Sequence, residues 1–520
     1  MAEGALRIGI DVGGTNTDAV VLDASDRVIA KAKRPTTPDV TAGLRAALDA
    51  VLAEVAAWER ITRVMLGTTH ATNAILERRN LGRVAVLRLG APATTSVPPL
   101  SDWPDDLRKA VSAGEAIVPG GHYVDGREIS PLDLGAIRRF MDGVRADAVA
   151  VTGVFSPASA DQERVVEELV GNEYGLPVSV SHEIGSLGLL ERENATVLNA
   201  ALYGVAAHVT DALVTALAER GLGAQPYLAQ NDGTLMTVAH AARLPVSTIG
   251  SGPANSLRGA AFLSGARDAI VADVGGTSTD LGVLVGGFPR ESAAAVEIGG
   301  VLTNFRMPDI LAIALGGGTV LRAAGAMGVR VGPDSVGYRI AEEALVFGGS
   351  TMTLTDAAVA GDRVPADAAG WRGKGDMSET FRDTLQRALA VADAMVIDAV
   401  DRMALGRADR PLVAVGGGAF LLPAEIPGVS RVIRPEHAEV ANAVGAAIAL
   451  ASGRVDTILP AGESRSKAIE RAKEEAAARA VAAGADPAGV EIVDLLEVPL
   501  SYLSEPAVRV HVKAAGPLSR

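Results

Sequence analysis

Residues 8–18 read IGIDVGGTNTD and residues 270–280 read IVADVGGTSTD. Seven of the eight positions of DVGGTxTD agree, and an apolar run leads into each copy, which marks an internal duplication. A strand that ends in Asp and turns through Gly-Gly-Thr has a direct physical use. Without side chains in the way, backbone N–H groups approach phosphate oxygens, and the Thr hydroxyls add donors. The strand-end Asp can hold Mg²⁺ through water or orient a nucleophile, or simply cap the turn. Two such turns facing each other would clamp a nucleotide's phosphates from both sides.

The flanks of the two copies also agree. AVVLD (19–23) and RVIAKAKR (27–34) follow the first copy, then a helical stretch near 40–56, RVMLGTT (63–69), a helix from Ala71 to Arg79, and RVAVLRLG (83–90). LGVLVGG (281–287) follows the second as a third strand, then DILAIALGGGT (309–319), an amphipathic run over 378–405, and PLVAVGGGAF (411–420). Hairpin strands followed by helix-linked parallel strands predict an α/β fold of two duplicated lobes. The expected organisation is a first lobe over 1–190 with an insertion at about 91–147, and a second lobe over 191–455. A small α+β tail over 456–520 would follow, opened by a charged helix (464–484). A mostly helical stretch, 190–240, would join the lobes.

Composition narrows the function classes. A net charge of −14 with 3% aromatic residues disfavours a nucleic-acid partner, which would require a basic face. With no cysteine, disulfides, thiolate nucleophiles and Cys-ligated zinc are excluded. No signal peptide is visible in MAEGALRIGIDVGG, and no apolar run approaches the length of a membrane span, so a soluble cytoplasmic protein is expected. Walker A and GxGxxG are both absent, against a P-loop NTPase and against dinucleotide binding. The glycine triplets Gly316–Gly318 and Gly416–Gly418 follow apolar strands, where they admit a ligand or only a tight turn into a helix. Asp18 and Asp280 suit capping as well as catalysis. His70, Asn73, His182 and Glu183 form a polar set at strand ends. A His–Glu pair there could bind a metal or act as acid and base, or be bonded to backbone.

MLGTTHATNAILER (65–78), SHEIGSLGLLERENATVLNAAL (181–202), GSGPANS (250–256), DVGGTSTD (273–280) and ANAVGAAIAL (441–450) together resemble the hydantoinase A/5-oxoprolinase family, in order along the chain. The resemblance implies duplicated ribonuclease H-like lobes of the actin, sugar-kinase and Hsp70 type. It also implies ATP and Mg²⁺ as cofactors and the ATP-driven opening of a cyclic amide such as a hydantoin or oxoproline. Relatives carboxylate acetone or acetophenone, also by phosphorylating a carbonyl-derived oxygen. Gly13, Gly14, Thr15, Thr17, Gly275, Gly276 and Thr277 would touch phosphates, with Ser251 and Gly252 near the γ-phosphate or substrate and Gly416, Gly417 and Gly418 under adenosine. Asp11 and Asp273 would manage Mg²⁺ and the nucleophile. His70 and Glu183 would do acid–base work, and His70 and His182 would offer metal ligands. The family's longer subunits make this a short branch, and ring opening commonly also needs a hydantoinase B-like partner. Homo-oligomerisation stays open. A small-molecule kinase and a non-catalytic ATP-gated assembly protein share the fold and remain the competing expectations.

Overall fold

The computed structural model describes the chain except residues 1–3, 15, 37–39, 186, 293–294, 306, 325–327, 365, 372–378, 407–408, 461–464, 501–506 and 520. Strands Leu6–Val12, Asn16–Leu22 and Val28–Pro35 form successive antiparallel hairpins. Ile61–Thr68 then lies parallel to the first of them, and Gln225–Ala229 parallel to Ile61–Thr68. Ile8, Ile10, Val21, Leu48 and Leu66 close the core on one face of this sheet, each contributing about 1.5–3 kcal/mol by burial.

The second lobe repeats the plan. Ala269–Val274 pairs antiparallel with Thr279–Val285 and parallel with Leu412–Val415. Its third strand is Ile310–Ile313, antiparallel to Thr279–Val285, with the short Phe288–Pro289 alongside. LGVLVGG therefore prolongs the second strand and does not form the third. The helix Glu379–Ala404 covers the sheet through Leu385, Ala392, Val396 and Val400. The duplicated α/β lobes expected from the repeat are the observed ones.

Three features differ from the expected organisation. Val84–Ala91 leaves the first sheet to form a separate all-parallel one with Ser112–Pro119, Ala148–Gly153 and Val178–Val180. The inserted unit therefore begins near residue 84 and returns near residue 183, well outside 91–147. Strands Gln225–Ala229 and Leu235–Thr237 belong to the first sheet, so the chain does not enter the second lobe at residue 191; it crosses on the helix Ser251–Ser264. The tail is not separate either. Ala451–Pro460 pairs with Leu235 and with Ala507–Gly516, which pairs with Glu491–Leu500, so the tail completes a nine-stranded sheet. Buried Lys513 fixes it there, 2.7 Å from Asp232, which Arg454 also meets. No single helix among the described residues is long and apolar enough to cross a membrane.

Candidate functional site

The two glycine turns have the same local build. Asp11 stands opposite Asp18 across the first hairpin and Asp273 opposite Asp280 across the second. Gly13 N–H donates to Asn16 O at 3.0 Å and Gly275 N–H to Ser278 O at 2.9 Å. A methyl group added at Gly14 or Gly276 would meet no protein atom within 4 Å, and neither residue has a positive φ. Neither backbone conformation nor packing therefore requires glycine at these two positions. The space beside each is open.

The carboxylates lie between two crossing helices, Ser251–Ser264 and Ala441–Ala447. Gly259 and Gly445 let their backbones touch: an added methyl would fall 1.8 Å from Ala441 O at the first and 1.9 Å from Asn255 O at the second. Asn255 donates to Asp11 at 3.3 Å, and Asn442 reaches both Asp11 (3.0 Å) and Asp18 (2.9 Å). Ser256, on the same helix as Asn255, donates to Asp273. Lys33 pairs with Asp18 at 2.8 Å. Gly67 and Gly416 are equivalent, since a methyl at either would lie 2.3 Å from an oxygen of Asp11 or Asp273 respectively.

Burial pushes the Asp11 carboxyl up to about 6, reinforced by Asp18 and opposed by the two Asn amides, with a smaller upward push from Asp273. Burial raises Asp273 too, against the Ser256 hydrogen bond. Asp280 is pushed up to about 7 by burial and then by Asp273. Each turn thus feels the charge of the other across the cleft. Crowded, desolvated carboxylates beside open N–H groups suit a hydrated Mg²⁺ carried on nucleotide phosphates, because this ion keeps its waters and needs only one or two carboxylates. Among the described residues no group of three or more His, Asp or Glu side chains converges as a ready-made metal cage.

Several expected residues support the turns without facing the cleft. Thr17 is fully buried, its hydroxyl beside that of Thr36, which donates to Gly13 O. Buried Ser251 donates to Thr68 O and anchors the start of the helix Ser251–Ser264, with Gly252 against Thr69. Gly418 N–H is bonded to Val274 O, leaving Gly417 open and Gly416 against Asp273. The other triplet holds the second turn from behind, Gly317 and Gly318 donating to Gly275 O and Gly276 O. Thr277 is exposed, and Thr15 lies outside the described residues.

The polar set does not assemble as expected. His70 bonds its own neighbour Thr68 and borders a small, largely apolar gap, which His182 and Glu183 do not line. Burial, with some help from His208, pushes it down to about 4. Asn73 sits on the same helix, His70–Glu77. His182 pairs with Glu163 at 2.6 Å, and Glu183 pairs with Arg243. His70, His182 and Glu183 thus have different partners, which removes the expected His70–His182 metal pair and the His–Glu pair with Glu183. Asn255, Asn442, Gly67 and Glu163 are the residues that sequence reasoning missed. A faint signal existed for the first two, because ANSLRGAA (254–261) and ANAVGAA (441–447) echo each other.

Comparison with known proteins bears on the family and the fold. The model for the hydantoinase/oxoprolinase N-terminal region matches residues 7–174, and that for hydantoinase/oxoprolinase matches residues 192–409. The chain is 28% identical to the acetophenone carboxylase gamma subunit of Aromatoleum aromaticum over 68% of its length and 52% of that subunit's. It is also 28% identical to the caprolactamase subunit alpha of Pseudomonas jessenii, over 69% of its length and 55% of that subunit's. The chain thus spans little more than half the length of these curated relatives. The crystal structure of the ATP-dependent caprolactamase from P. jessenii aligns with a TM-score of 0.77 at 21% identity, covering 99% of this chain and 88% of that one.

Proposed function

This chain belongs to the hydantoinase/oxoprolinase family, and we propose that it spends ATP between its two lobes to activate a carbonyl oxygen, opening a cyclic amide of the hydantoin, oxoproline or lactam class. The observation that carries the reading is the pair of matched turns, each with an Asp at its strand end and a glycine with open space beside it that neither packing nor a positive φ requires. The names of the relatives support it: one is a caprolactamase, the other a carboxylase of acetophenone, and lactam and ketone share a carbonyl group.

The chemistry gives a reason for ATP. Amide resonance makes a ring carbonyl a poor electrophile, and phosphorylating its oxygen turns that oxygen into a leaving group. Backbone N–H groups at Gly14 and Gly276 would meet the phosphates, the kind of preorganised stabilisation that phosphoryl transfer relies on, while the Gly13 and Gly275 N–H groups close the turns on Asn16 O and Ser278 O. Asp11 and Asp273 would hold the hydrated Mg²⁺, which when bound supplies neutralisation of phosphate charge. Asn255, Asn442 and Ser256 keep both carboxylates aimed into the cleft. Both relatives are named as subunits, which supports a partner chain, and a hydantoinase B-like protein is the partner proposed.

The test is ADP formation by the purified chain, alone and with a co-expressed partner, against three panels. The panels are cyclic amides, a ketone with bicarbonate, and polyols. Stimulation by a cyclic amide supports the reading. Stimulation by the ketone with bicarbonate moves the chemistry to carboxylation, and by a polyol to a kinase. A response to the protein partner alone would instead make the chain an ATP-gated assembly protein.

A further inference from the structure

A cavity of about 1210 Å³ opens away from the glycine turns, where two sheets present the carboxyl ends of their parallel strands. Gln230 and Asn231, which follow strand Gln225–Ala229, line it from the first sheet. Ser156 and His182 line it from the inserted sheet, beyond strands Ala148–Gly153 and Val178–Val180. The tail helix Arg465–Ala482 contributes a further wall through Ala468 and Arg471. Carboxyl edges of parallel strands are where open α/β sheets bind ligands, and here two such edges face one space.

Behind the His182 wall of that space, and not lining it, one carboxylate is held by many partners. Glu163 is fully buried on the helix Asp161–Tyr174. It accepts hydrogen bonds from Gly153 N–H (2.7 Å), the Ser181 hydroxyl, His182 N–H (2.9 Å) and the His182 ring Nδ1 (2.6 Å). Arg192 clamps the same network by donating to Ser181 and to Gly153 O. With Nδ1–H engaged by the carboxylate, the lone pair of the ring lies on Nε2, which has no protein partner among the described residues. A carboxylate that fixes one imidazole nitrogen so that the other can accept a proton is a recurrent acid–base arrangement.

No residue of the glycine turns lines the cavity, but one sheet links the two. Gln225–Ala229, Ile61–Thr68 and Leu6–Val12 are neighbours in one sheet, so Gln230 stands two strand spacings, roughly 10 Å, from the Asp11 turn. Asn231 accepts from Gly250 N–H at 2.8 Å, at the start of the helix that carries Asn255 and Ser256.

We infer that this cavity is the chamber for the acceptor substrate, with His182 as the group that takes the ring N–H proton of a cyclic amide and Glu163 as its positioning residue. The inference rests on the function proposed above. As His182 Nε2 accepts the proton, the nitrogen electron pair forms the C=N bond and the carbonyl oxygen attacks the γ-phosphorus. An O–P bond forms, the bond from that phosphorus to the β,γ-bridging oxygen breaks, and its electron pair leaves with ADP. The product is an O-phosphorylated imidate, and the proton rests on His182.

The experiment measures ADP formation with and without caprolactam, 5-oxoproline or hydantoin, using the chain with its partner subunit, for wild type, His182→Gln and Ala468→Trp, with melting temperatures alongside. In His182→Gln the ratio of amide-stimulated to amide-free turnover is expected to fall by about 10²-fold or to unity. Ala468→Trp, which fills the chamber from the tail helix, is expected to raise the KM for the amide at least tenfold, roughly the loss of 1.4 kcal/mol. Wild type stimulated by an amide, together with both variants stimulated equally and with unaltered KM, overturns the chamber while leaving the proposed function standing. A wild type that no amide stimulates overturns both. A fall in amide-free and stimulated turnover by the same factor, with a lowered melting temperature, makes His182 structural and refutes the inference.

Discussion

Asn442→Ala probes how the carboxylates of the cleft are held. The Asn442 amide comes from a helix more than four hundred residues along the chain and donates to Asp11 at 3.0 Å and Asp18 at 2.9 Å. Hydrogen bonds to charged groups contribute about 1.5–3 kcal/mol each. Asp11 keeps Asn255 at 3.3 Å and Asp18 keeps Lys33 at 2.8 Å, so neither carboxylate is left bare, and the net loss should be about 2–4 kcal/mol. Part of that appears as a lower melting temperature. The rest appears as misorientation of Asp11, which at 1.4 kcal/mol per decade corresponds to roughly a 10- to 100-fold loss of ATP turnover. Asn442→Asp should be worse, because it adds a third carboxylate to a pair that already repels. The assay is ADP release by a coupled enzyme reaction, with differential scanning calorimetry on the same samples. An Asn442→Ala protein within 0.5 kcal/mol of wild type and with full turnover would refute the assignment of these bonds to the site.

Four further outcomes follow. Asp11→Ala and Asp273→Ala should each reduce ATP hydrolysis to background, and a variant that keeps the wild-type rate removes that lobe from the clamp. His70 is held at about 4 when folded against 6.5 for the free side chain, so the unfolded chain takes up its proton first. The stability that neutral His70 provides is therefore complete above pH 6.5 and declines as pH falls toward 4. After allowance for its partial exposure the loss is about 1–2 kcal/mol, and His70→Asn should flatten that limb in a chemical-denaturation series over pH. Lys513→Met strips one cation from buried Asp232 while Arg454 remains, at a cost of about 3 kcal/mol. Truncation before residue 464 should yield insoluble protein, because it removes Lys513 and exposes the edge of strand Ala451–Pro460; a soluble, well-folded truncation would show the tail to be dispensable.

What could be read from sequence was what the chain repeats locally. Asp-Val-Gly-Gly-Thr is contiguous, its two copies are nearly identical, and the hairpins beside each are joined by short turns, so the duplicated lobes were visible without coordinates. What escaped was pairing between distant segments. Nothing near Gln225–Ala229 announces that it lies beside Ile61–Thr68, and the strand Val84–Ala91 reads the same whether it joins the first sheet or founds another. The same limit applies within the site. Glu163 sits in an ordinary amphipathic helix, and only the fold brings it under His182. His70 looked equivalent to His182 because both follow apolar strands, yet the first packs against apolar residues and the second against a buried carboxylate.

The claim that ATP phosphates lie between the two glycine turns is tested most directly at the positions where the protein itself has no use for glycine. A Cβ at Gly14 or at Gly276 meets no protein atom within 4 Å, so Gly14→Val and Gly276→Val should fold as wild type does. Isothermal titration of each variant with a non-hydrolysable ATP analogue and Mg²⁺ is the measurement. Because the side chain would occupy the space left for a phosphate, each substitution alone should weaken binding at least tenfold, about 1.4 kcal/mol, with the melting temperature of the nucleotide-free protein unchanged. Wild-type affinity in either variant would place the phosphates elsewhere and contradict the account.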